Sequence, residues 1–276
     1  MSRIIVTPIA GALGAEIGGI DLSQPLAADD VAAMRAALLD HLVIFFRDQQ
    51  LNSENFMVFA EVFGEPVAYP LIKGIDGFPF IIEVVKRETD TVNFGGIWHA
   101  DTTYLDCPPM GSMLYALEVP PFGGDTLFAN QYLAYESLSP PLRKFLDEQT
   151  VVNTSVKADV SKTREDMIGG AGESQSHNHA AEHPAVRTHP ETGRRALYVN
   201  VAHSSHFKDM SEAESAPILN FLFEHQVKPE FTCRFAWQGG SLAFWDNRAA
   251  QHNPVNDYHG YRRVMRRITL QGDKPR

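Results

Sequence analysis

Apolar residues recur along this chain with two different periods, and each change of period marks out an element. In "AADDVAAMRAALLDH" (Ala27–His41), Val31, Met34, Leu38 and Leu39 fall at helical spacing. Asp29 and Asp30 stand at the end where the helix dipole favours negative charge. The run "LVIFFR" (Leu42–Arg47) is uninterrupted by polar residues and reads as a buried strand. In "SENFMVFAEVFG" the helical period returns, with Phe56, Phe59 and Phe63 on one face, Ser53 as expected N-cap and Gly64 as the stop. Beyond it the runs shorten. Strands are expected around Phe80–Val85, Gly111–Glu118 and Ala196–Asn200, then at Phe231–Trp237, Ser241–Trp245 and Val264–Leu270. A further helix spans about Ser211–His225, and "PPFGG" and "QGG" supply turns. Many short strands with helices at the front and in the middle predict a mainly β architecture, a jelly roll with helices packed on one side.

One stretch departs from both periods. Lys157–Glu182, "KADVSKTREDMIGGAGESQSHNHAAE", is polar and glycine-bearing, and reads as a mobile loop or lid within a single domain covering 1–276. His177, His179 and His183 lie in or beside it, and their polar setting favours a solvated loop over a second metal site.

Composition narrows the class. A formal net charge of −10 argues against nucleic acid as a partner, which a basic surface would attract. No apolar run approaches the ~18 residues needed to span a bilayer, and the N-terminus lacks a signal-peptide pattern. Two cysteines, Cys107 and Cys233, cannot build a disulfide framework. A soluble cytoplasmic protein is expected.

The chemistry gathers in two places. In "WHADTTY", His99 and Asp101 are two residues apart, which on a strand puts both on one face. In "WDNRAAQHNPVNDYHGYRRVMRRITLQGD", His252 follows a strand, and Arg263 and Arg267 share a face of the last one with Met265, opposite Arg262, Val264 and Arg266. Two imidazoles and one carboxylate are the facial ligand set of non-haem iron oxygenases, which leaves open positions for a co-substrate and O2. Guanidiniums match carboxylates with a planar fork. Trp98 and Trp245 flank the ligand segments and are expected to pack and dry the site.

With these stretches, "GGDTLF" and "HPAVRTHPETGRRALYVN", the chain resembles the taurine dioxygenase / 2,4-dichlorophenoxyacetate dioxygenase (TauD/TfdA) family over nearly its whole length. The resemblance implies a double-stranded β-helix fold and an Fe(II)- and 2-oxoglutarate-dependent dioxygenase. It implies iron on His99, Asp101 and His252, the far carboxylate of 2-oxoglutarate on Arg263 with Thr126, and O2 as oxidant. It places Arg267 on an anionic substrate group or in support of the co-substrate. Where taurine enzymes carry polar pocket residues, this chain has Tyr69, Ile72 and Gly95, and His203 replaces a phenylalanine after the "VN" strand. "PLIKGIDGFPF" is similar to the aryloxyalkanoate-cleaving branch. The expected substrate is therefore a small organic acid, sulfonate or carboxylate, hydroxylated and often cleaved beside its heteroatom. A homo-oligomer, dimer or tetramer, is implied as well. The alternative readings are a metal-dependent organic-acid-binding jelly roll without turnover and a zinc hydrolase, which would leave Arg263 without a role.

Overall fold

In the computed structural model the described residues are 3–70, 72–157 and 179–276. In chain order they form β1 (Ile5–Pro8), β2 (Ala15–Gly18), α1 (Ala28–His41), β3 (Val43–Phe46), α2 (Ser53–Phe63), β4 (Pro66–Val67), β5 (Ile82–Lys86), β6 (Gly111–Glu118) and β7 (Thr126–Asn130). There follow α3 (Gln131–Glu136), α4 (Pro140–Asp147), β8 (Thr150–Thr154), β9 (Ala180–Pro184), β10 (Val186–Thr188), β11 (Arg195–Leu197) and β12 (Ser204–Phe207). The last elements are α5 (Glu212–His225), β13 (Thr232–Phe235), β14 (Leu242–Asp246), β15 (Ala250–Pro254) and β16 (Arg263–Leu270).

The main sheet runs β1-β2-β3-β14-β6-β16-β4, with β5 also paired to β16. Its central strands are buried on both faces because each is covered twice, so their sequences read as continuous apolar runs. Alternation still sorts the side chains. Ile44 and Phe46 of β3, with Leu242 and Phe244 of β14, face α1 and α2, where Met34, Leu38, Phe56, Phe59 and Phe63 complete one core. Val43, Phe45, Ala243 and Trp245 face the other way, onto a second sheet of order β13-β7-β15 that brings Phe128, Phe235 and Ala250. A third core joins α3, α4 and α5 to β8 and to the β10-β11 and β12 region through Leu138, Leu146, Val151, Phe207 and Leu222. Two β layers with a core between them, and helices outside one layer, are the expected jelly roll.

Several local expectations are corrected. The N-cap of α2 is Asn52, whose side chain accepts from the Asn55 amide; Ser53 is already helical and bonds Arg266. The strand expected at Ala196–Asn200 ends at Leu197, since Asn200 turns the chain by accepting from the His203 amide. Of the 157–182 segment, residues 158–178, His177 among them, lie outside the described residues. Ala180–Glu182 belong to β9, paired with β8, and are not loop.

Candidate active site

The site lies between the two sheets, at the end where β15 meets the segment after β5. His99 and His252 exchange both backbone hydrogen bonds, N–H to carbonyl, at 3.0 and 2.9 Å. This isolated bridge, rather than a continuous strand, carries His99. Asp101 is already in a turn, and Thr102 follows with φ +43°, a left-handed conformation that drives the chain away from the sheet. The expectation that strand alternation aligns His99 and Asp101 is thus wrong in its geometry. The side chains converge all the same: His99 Nε2 and His252 Nε2 stand 3.6 and 3.8 Å from Asp101 Oδ1.

Asp101 is 1 % exposed, and its two oxygens are treated differently. Oδ2 accepts from Ser112 Oγ at 2.8 Å, from Asn247 Nδ2 at 2.9 Å and from Arg267 Nη2 at 2.6 Å. Oδ1 has no hydrogen-bond partner at all. Leaving a buried carboxylate oxygen bare is costly, so this atom awaits a ligand. His99 Nδ1 lies 2.7 Å from the Ile97 carbonyl, which directs its proton there and leaves Nε2 free to coordinate. Burial pushes His252 well below the usual histidine range, with His99 adding to the effect, so it stands neutral as a metal ligand must. Burial would raise the Asp101 carboxyl, but Arg267, His252 and His99 together hold it well below the usual carboxylate range. These three side chains form the one metal-competent cluster among the described residues, their ligand atoms within 4.8 Å of one another. One bare carboxylate oxygen and two imidazole nitrogens fit Fe(II).

A cleft of about 450 Å³, mouth included, opens beside them, lined by Val84, Phe94, Leu114, Phe128, Trp237, Trp245 and Pro254 with Thr126, Arg263 and Arg267. Thr126 Oγ1 accepts from Trp237 Nε1 at 3.0 Å, which leaves its own proton to donate. Arg263, 6 % exposed, lies over the Trp237 ring, and its Nε and Nη2 lack partners. Arg267 holds Asp101 and Ser112 through Nη2, while its Nε is unpartnered. The Tyr69 ring stands 4.9 Å from the Arg267 guanidinium, and burial raises its phenol to about 12, so the hydroxyl stays protonated. Trp245 packs its ring 4.7 Å from that of His252, in line with the expected packing role, and lines the cleft.

The remaining expected residues are not among those that line this cleft. Gly95 is not among the side chains lining the cleft, but its backbone stands against the metal-facing edge of His99: it takes φ +68°, and a Cβ there would come within 2.9 Å of Cε1 and 3.2 Å of Nε2. His203 has its Nδ1 3.0 Å from Thr103 Oγ1 and its ring 6.4 Å from that of His99, and it is not among the residues lining the cleft. Ile72 is half-buried and also outside that wall. Trp98 is half-exposed and absent from the buried clusters. His179 stacks on Tyr104, and His183 Nε2 meets the Leu105 carbonyl; among the described residues neither belongs to a second metal cluster. Ser112 and Asn247 were missed. A serine fully buried in the apolar strand β6 was the available signal for the first; the second stands in the quoted "WDNR" without a mark of its role.

Residues 5–269 match the family described as "Taurine catabolism dioxygenase TauD, TfdA family". The chain belongs to that family. A sulfate ester dioxygenase of Pseudomonas putida, described as α-ketoglutarate-dependent, is 37 % identical over 98 % of this chain and 90 % of its own. An alkylsulfatase of Acinetobacter baylyi is 39 % identical over 96 % of this chain and 84 % of its own. The crystal structure of a taurine dioxygenase from Burkholderia xenovorans superposes with a TM-score of 0.84 at 38 % identity, covering 99 % of this chain and 91 % of that one. As a TauD/TfdA member the chain is an oxidoreductase that uses Fe(II), 2-oxoglutarate and O2, on the double-stranded β-helix. Among the described residues no helix is long and apolar enough to cross a membrane.

Proposed function

We propose that this dioxygenase oxidises organic sulfate esters at the carbon bonded to the ester oxygen, with His99, Asp101 and His252 holding the metal. Iron bound there supplies O2 activation at the expense of 2-oxoglutarate, which leaves as succinate and CO2. The observation that carries the reading is a cleft lined by two guanidiniums and by apolar walls. Arg263 and Arg267 are four residues apart on β16, roughly 13 Å along the strand. Arg263 with the Thr126 hydroxyl takes the far carboxylate of 2-oxoglutarate. Arg267 offers its free Nε to the sulfate, beside the Tyr69 hydroxyl. Phe94, Leu114 and Phe128 then cover the carbon chain and keep water out. Hydroxylation at that carbon gives a hemiacetal sulfate, which collapses to aldehyde, inorganic sulfate and a proton. The likeness to two sulfate-ester enzymes supports this over a sulfonate or an aryloxyalkanoate. A binding jelly roll without turnover is not favoured, because no ligand and no co-substrate cation is missing. A cytoplasmic homo-oligomer belongs to the same reading, and the free Cys107 and Cys233 fit a reducing compartment.

The test is anaerobic reconstitution with Fe(II) and 2-oxoglutarate, followed by aeration with hexyl sulfate, hexanesulfonate or phenoxyacetate. A weak visible charge-transfer band is expected first, then aldehyde, sulfate and succinate in equal amounts from hexyl sulfate. Arg267→Met should abolish the second stage. Turnover of the sulfonate or the phenoxyacetate with hexyl sulfate inert would overturn the substrate assignment.

A further inference from the structure

Lys86 ends β5 directly opposite Arg263 on β16. Cross-strand partners leave a sheet on the same side, so the two cations are neighbours on the face that looks toward the cleft. Val84, two residues earlier on that face, is part of the cleft wall. Lys86 is 3 % exposed, and its Nζ has no hydrogen-bond partner. It rests instead over the Tyr258 ring, 4.3 Å from the centroid. Tyr258 in turn donates to Asn93 Oδ1 at 3.0 Å and is hydrogen-bonded to Arg263. The acids of the adjoining loops are engaged elsewhere: Asp125 with Arg234, and Asp257 with the Gly124 amide and Arg234.

A ring face compensates a buried ammonium only in part. Two buried cations side by side, with bare N–H groups on both, repel each other until an anion arrives. A carboxylate has about four lone-pair directions, enough for the Thr126 hydroxyl, the Arg263 fork and one ammonium.

We propose that Lys86 is a second cationic anchor for the far carboxylate of 2-oxoglutarate, and that it enforces preference for a dicarboxylate over a 2-oxo acid with an uncharged tail. The assignment rests on the co-substrate role of Arg263 given above. A lysine that merely packs its aliphatic stem would favour neither acid.

Calorimetric titration of the Mn(II)-loaded protein under argon tests this without turnover, using 2-oxoglutarate and 2-oxopentanoate, which share the head group and differ in tail charge. Lys86→Met should weaken 2-oxoglutarate by about tenfold, the loss of one charge-assisted contact, while 2-oxopentanoate changes by less than about twofold. Lys86→Arg should restore most of the difference. Melting temperatures of both variants check that the fold is kept. Unchanged 2-oxoglutarate affinity in Lys86→Met, or an equal loss for both acids, overturns the proposal and leaves the co-substrate site intact. If the unaltered protein takes up neither acid, the Arg263 assignment falls first and this one with it.

Discussion

Asp101 does two jobs with two oxygens. Ser112, Asn247 and Arg267 converge on Oδ2, which fixes the carboxylate plane and leaves Oδ1 as the one free ligand oxygen on the side of the imidazole nitrogens. Asn247 also accepts from the Asp101 amide and from Trp245 Nε1, so it ties the ligand loop to β14. Asp101→Ala should abolish metal binding and turnover. Ser112→Ala and Asn247→Ala should each weaken Mn(II) binding about 10–100-fold while the ligands remain, read by titration under argon. At this scale the metal ligands and Arg263 were legible in the sequence because their residue types carry the chemistry. The supports were not, since a serine or an asparagine declares no partner until the fold brings one.

Strand β16 shows the same contrast for an element. Met265 shares its inner face with Arg263 and Arg267 and is fully buried, while Arg262, the residue just before the strand, is exposed and paired with Glu118. Met265→Ala should cost about 2–5 kcal/mol. Arg262→Ala should cost no more than about 1 kcal/mol, because an exposed ion pair is screened and entropically dear. Urea unfolding of both variants checks the difference. The alternation that separates these faces was readable, as were α1 and β6, where period and breakers agree. It failed at His99–Asp101, where a left-handed Thr102 and a lone backbone bridge replace the strand. Local period contains no information about a pairing that depends on a distant partner.

Across the whole molecule, buried ionisable groups make stability depend on pH. Burial lowers His203 from 6.5 to about 3, and it lowers His183 and His225 in the same direction. These groups stay neutral in the fold while the unfolded chain takes up protons below about 6.5, so the stability held above that value declines as the pH falls toward 3. Asp246 works in the acid range. Burial opposes its ionisation, but Arg248 and His189 override this and hold it below the usual carboxylate range, so its contribution is lost as the pH drops below 3.8. Melting temperature should therefore fall steadily from pH 7 to 5 and steeply below about pH 4. A flat profile across the histidine range would contradict the burial of these imidazoles. The jelly roll itself was legible from the number and brevity of the strands, but not the partition into three cores, which follows from long-range pairing. That pairing also sets an order of events. The bridge between His99 and His252 closes a loop of more than half the chain, so both ligand-bearing segments meet only after late, entropically demanding contacts have formed. Metal capture in this protein is accordingly a signature of completed folding, and a newly made chain stays blind to iron until its last strands have docked.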